Sequence, residues 1–134
     1  MAKKIFINLP VANLKKSMHF YTAIGFTNNP QFTDETAACM VLTEEIYIML
    51  LTHQKLATFT SKEIIDAKKY IGAINCISLD SPDEVNIIAN NAIKNGGIEP
   101  APPQDYGFMQ QRSFEDPDGH HWEVIFMDMN KFPG

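Results

Sequence analysis

The sequence predicts an α+β fold of two paired βαβββ modules forming a cupped, mixed sheet. Three observations predict it. One grammar of strand, capped helix and strand-like runs occurs twice, about half the chain apart. Both helices carry their own start and stop signals. The chain's 134 residues suit a single domain around one core, with module 1 over about 3–52, a connector over 53–72 and module 2 over about 73–128. At 45% hydrophobic and 20% charged residues, the composition is that of an ordinary globular protein.

The first strand covers residues 4 to 11. A helix follows from Asn13, whose short side chain suits an N-cap; Leu14, Met18, Tyr21 and Ile24 form its apolar stripe, and Gly25 supplies the left-handed stop. TAACMVLT and IYIMLLT then read as strands. In the connector, Thr60 and Glu63 have capping-box spacing, with Ile64 and Ile65 as an apolar side, and predict a short helix. That segment serves as a connector or as a lid over the cup.

The second module opens with a strand over 73 to 79. Ser81 as N-cap, Pro82 at the first helical position and Glu84 three residues after the cap start a helix. Its buried face is Val85, Ile88, Ala89, Ala92 and Ile93, and Gly96 ends it. GFMQQRSFE and HHWEVIFM are the strands that follow, joined by DPDG, in which Asp116, Pro117 and Gly119 fit positions one, two and four of a type I turn.

Along the last strand side chains alternate. Trp122, Val124 and Phe126 share one face and His121, Glu123 and Ile125 the other. The aromatic face packs on a helix; His121 and Glu123 point together to solvent or to the concave side. An imidazole and a carboxylate two residues apart on a strand can approach one metal ion or one proton. His53 falls where it can reach a cup's rim, and His19 on a helix surface. Arg112 can hold a ligand carboxylate or pair with Glu115 or Asp116. Phe108 lies in the loop APPQDYGF, a suitable pocket cover.

The segments NLPVANLKKSMHFYTAIGF, NGG and RSFEDPDGHHWEV together resemble the vicinal oxygen chelate superfamily of glyoxalase I, bleomycin-resistance proteins and extradiol dioxygenases. The likeness is greatest to small bacterial glyoxalase-like proteins labelled predicted lactoylglutathione lyase. The resemblance implies metal ligands from the first and last strands of each module. The last-strand ligand of module 2 falls on Glu123 and its counterpart on about Met49; the first-strand positions fall at about Phe6 and Ile74, with Asn8 and Cys76 the nearest polar groups on those faces. One carboxylate among apolar positions predicts an incomplete metal site, so no cofactor is expected, a divalent metal being the alternative. Two functions follow. One is a lyase, isomerase or dioxygenase with Glu123 as base, or as lone retained metal ligand, and His121 sharing its proton; the other is a metal-free, bleomycin-resistance-like protein that binds a small-molecule ligand. Asn8, Cys76, Phe108 and Arg112 are the expected binding residues.

The net charge of −5 argues against a nucleic-acid partner. No run is apolar enough for a membrane partner and MAKKIF lacks a secretory pattern, which predicts a cytoplasmic protein. Cys39 and Cys76 read as buried free thiols. A homodimer is expected, since cyclic two-fold assembly is the commonest oligomer.

Overall fold

The computed structural model describes residues 3–134. The chain divides into two compact units, the first ending at Asp66 and the second beginning at Ala67, inside the expected connector. In the first unit, β1 (Ile5–Val11) leads into α1 (Leu14–Ala23), then β2 (Thr27–Asn29), β3 (Ala37–Val41), β4 (Ile46–Thr52) and a short α2 (His53–Leu56). The sheet order is β1-β4-β3-β2, with β1 parallel to β4 and the other pairs antiparallel.

The second unit repeats this topology: β5 (Ile74–Ser78), α3 (Pro82–Lys94), β6 (Gln104–Asp105), β7 (Met109–Glu115) and β8 (His121–Met127). Its order is β5-β8-β7-β6, again with the first strand parallel to the last. Each unit is therefore βαβββ. The short strands β2 and β6 complete the pattern and carry too few residues to show an alternation of their own.

Local chemistry sets the helix ends. Asn13 Oδ1 accepts from the Lys16 amide at 3.1 Å and Ser81 Oγ from the Glu84 amide at 3.2 Å, satisfying donors that the first turn leaves open. At the far end of α1 the chain takes a positive φ at Gly25, which lets the Phe26 amide reach back to the Tyr21 carbonyl at 2.9 Å.

The buried side of α1 is rotated from the expected stripe. Ser17, Phe20, Tyr21 and Ile24 are buried, while Leu14 and Met18 are half-buried. Ser17 is 1% exposed, so the buried side of α1 includes a small polar residue, which an apolar-stripe reading passes over. In α3, Val85, Ala89 and Ala92 are buried, but Ile93 is 39% exposed and lies off that face.

The connector helix over Thr60 to Ile65 does not form. Thr60 Oγ1 instead accepts from the Lys62 amide in a local turn, and the helix here is α2, capped by Thr52 through the Lys55 amide. Ile64 and Ile65 are adjacent rather than three or four apart, so they give no helical face to bury. His53 opens α2 and is exposed. No helix among the described residues is long and apolar enough to cross a membrane.

Candidate functional site

The turn after β7 is held by one carboxylate. Asp116 is 2% exposed, and its Oδ1 accepts from the amides of Asp118 at 2.9 Å and His120 at 2.8 Å. Its carbonyl accepts from the Gly119 amide at 2.9 Å, closing the four-residue turn. Gly119 has φ +94°, and a Cβ there would lie 2.6 Å from the Lys68 nitrogen, so backbone crosses backbone at this point.

This turn fixes the register of β7 against β8. Glu115 opposes His121, Ser113 opposes Glu123, and Phe114 opposes Trp122. Trp122 and Val124 are buried with Phe114, whose ring stacks on Trp122 at 6.5 Å, and α3 packs on β7 and β8. His121 and Glu123 fall on the other face and are half-buried. The expected division of faces is observed.

On that face β5 sets Cys76 beside Glu123 and Ile74 beside His121. A row Cys76–Glu123–Ser113 thus crosses three strands, with Ile74–His121–Glu115 beside it. Among the described residues no hydrogen bond or ion pair engages the Glu123 carboxylate, which leaves its oxygens available. Cys76 is exposed rather than buried, because β5 is an edge strand whose Ile74–Cys76–Ser78 side is the open one. Partial burial of its thiol, and then the Glu123 carboxylate beside it, push the Cys76 pKa up. Cys39 is buried as expected, its thiol also pushed up by burial, and both cysteines are free.

The first unit has the same register with different chemistry. Asn8 opposes Met49, which opposes Cys39, while Phe6 opposes Tyr47. Asn8 therefore stands where Cys76 stands in the second unit, and Met49 where Glu123 stands. The Asn8 amide donates to the Phe6 carbonyl at 3.4 Å, and the Phe6 and Tyr47 rings stack at 4.4 Å. Ser113 and Cys39 were absent from the sequence reading of the site. The DPDG turn contains the signal for Ser113, since pairing Glu115 with His121 forces Ser113 opposite Glu123.

Arg112 is on the opposite face from Glu123. Its Nε and Nη2 bind Glu99 at 3.0 and 3.1 Å, and Nη1 donates to Asn86 and Asn90 at 3.1 and 2.9 Å. Its ion-pair partner is Glu99, not Glu115 or Asp116, because alternation along β7 turns Arg112 away from Glu115. Phe108 immediately precedes β7, its ring meeting Phe132 edge-on at 5.0 Å. Among the described residues no three His, Cys, Asp or Glu side chains form a group able to hold a metal ion.

Residues 5–124 match the family model described as Glyoxalase/Bleomycin resistance protein/Dioxygenase superfamily. No curated protein matches in sequence. Among solved structures, a hypothetical protein of S. aureus is 21% identical with a TM-score of 0.78, covering 94% of each chain. A glyoxalase/bleomycin resistance protein/dioxygenase family enzyme from Burkholderia phytofirmans PsJN is 16% identical with a TM-score of 0.76, over 94% of this chain and 99% of that one. The fosfomycin resistance protein FosX from Mesorhizobium loti is 13% identical with a TM-score of 0.70, over 97% and 96%. At these identities the likeness is one of fold.

Proposed function

Because the chain belongs to the Glyoxalase/Bleomycin resistance protein/Dioxygenase superfamily, we propose that it binds a small organic molecule on the open face of its second sheet, without a complete metal site. The observation that carries this reading is the Cys76–Glu123–Ser113 row, which sets one unengaged carboxylate between a thiol and a hydroxyl on a half-open face. Glu123 accepts a hydrogen bond from a ligand hydroxyl or amide, and Ser113 can donate or accept beside it. Cys76 and Ile74 give that face a less polar border.

The divalent metal that the resemblance implies does not fit this donor set. A hard ion takes about three oxygen or imidazole donors. Glu123 has only a hydroxyl and a thiol as neighbours in its row, its counterpart Met49 offers a thioether flanked by an amide and a buried thiol, and among the described residues no three His, Cys, Asp or Glu side chains are grouped. No step is routed through a metal. In a catalytic version of the same site, Glu123 takes a proton from a carbon beside a carbonyl and His121, on the same face, relays it.

Metal analysis of protein purified without chelator and without a metal column tests the reading, and well under one equivalent of nickel, zinc, iron or manganese is expected. Glu123→Gln is expected to change ligand affinity by a few-fold if the protein only binds, and to abolish turnover with binding intact if it is an enzyme. Stoichiometric metal that survives dialysis and is lost on Glu123→Ala would sink the metal-free reading and restore a metal-dependent lyase or dioxygenase.

A further inference from the structure

The segment 67–71 lies over the turn that follows β7, and together they border an open cavity of about 190 Å³ within the second unit. Its other wall is Glu115, Gly119 and His121. The contact is intimate, since the Gly119 Cα hydrogen points at the Lys68 nitrogen and the Ala67 carbonyl, where a Cβ would sit at 2.6 to 2.8 Å. The cavity is therefore fixed by backbone packing and not by a chance arrangement of long side chains.

Its lining is dipolar. Lys68 and Lys69, both cationic, line it from the segment, and the acidic Glu115 lines it from β7, with His121 directly opposite Glu115 on β8. Lys69 forms no ion pair among the described residues. Tyr70 and Ile71, 65% and 63% exposed, add an apolar outer wall. The volume equals about six water molecules at liquid density and lies below the roughly 300 Å³ at which drug-sized pockets begin.

We propose that this cavity is a binding pocket for a small carboxylate that carries a hydrogen-bond donor and a short apolar body. The ligand carboxylate sits against Lys69 as a charge-assisted pair. Its hydroxyl or ammonium group donates to Glu115, the residue that can only accept when ionised. The apolar body rests on Tyr70 and Ile71. Glu123 is not among the lining residues, although His121 of the neighbouring row is, so the Lys69 test reads a different residue from the Glu123→Gln test.

The test is a ¹⁵N–¹H NMR titration of the full chain with three probes: 2-hydroxy-3-methylbutanoate, its neutral amide, and 3-methylbutanoate, which lacks the hydroxyl. The hydroxy acid is expected to give saturating shifts concentrated at residues 67–71, 115 and 119–121, the acid without hydroxyl to bind several-fold more weakly, and the amide not to saturate. Lys69→Met, which keeps the apolar stem, is expected to weaken the hydroxy acid by about tenfold or more, as for loss of a hydrogen bond between charged groups. Lys62→Met, an exposed lysine outside the cavity, is the control and is expected to leave affinity unchanged. Equal binding of acid and amide, saturating shifts elsewhere, shifts that never saturate, or an unchanged affinity in Lys69→Met would each overturn the proposal.

Discussion

The Cys76 thiol reports on Glu123, because the two are cross-strand neighbours and the carboxylate disfavours a second negative charge. Glu123→Gln removes that repulsion while burial remains, so the thiol pKa is expected to fall part of the way back. Alkylation by iodoacetamide at fixed mildly alkaline pH should then run a few-fold faster than in the parent; an equal rate would mean that the two groups do not sense each other. A raised folded-state pKa also has a sign for stability. The contribution is fully present below the ordinary thiol value and is lost as pH rises through the raised value. Asp34 behaves oppositely. The Thr36 hydroxyl, followed by the Thr36 amide, holds its carboxyl below the usual range, through bonds of 2.7 Å each. Its contribution is present above the ordinary carboxylate value and lost as pH falls through the lowered one. In Thr36→Val the hydroxyl bond is gone and the amide bond stays, so NMR titration should place the Asp34 midpoint higher than in the parent protein.

At the scale of elements, two glycines with positive φ separate backbone preference from steric contact. A Cβ at Gly107 meets nothing within 4 Å, whereas at Gly119 it strikes the backbone of Ala67 and Lys68. Gly107→Ala is expected to cost about 1 kcal/mol for the left-handed conformation alone, and Gly119→Ala about 2 kcal/mol or more, read as a shift of the urea midpoint. Equal losses would mean that segment 67–71 does not rest on the turn. Ser81→Ala should cost about 1 kcal/mol through the lost cap of α3. These elements also mark how far the sequence could be read. Caps at Asn13 and Ser81, the stops at Gly25 and Gly96, the DPDG turn and the two faces of β8 depend on neighbours in sequence, and all were legible. The rotation of α1 onto Ser17, the exposure of Cys76 and the choice of Glu99 by Arg112 depend on partners far along the chain, and periodicity does not carry that information. The Thr60 capping box was misleading for a related reason: a start signal has no effect without an apolar face behind it to bury.

For the whole molecule, the resemblance and the prevalence of two-fold assembly lead us to expect a homodimer. Light scattering at high micromolar concentration should give twice the chain mass of 15.1 kDa, and a monomer mass would count against it. The parallel pairing of the first and last strand in each unit has a consequence for how the chain folds. Ile5 must find Ile46, and Ile74 must find His121. Neither sheet can close from hairpins alone, and each closure bears the entropy of a long loop before any packing repays it. During synthesis the first unit can close its sheet once β4 has left the ribosome, whereas β5 has no partner strand until β8, near the end of the chain, has emerged. A chain that has emerged only as far as Lys94 would hold a finished first sheet and, in its second unit, an unpaired β5 and an α3 with neither β7 nor β8 to cover it, which is the state most exposed to aggregation and to capture by chaperones.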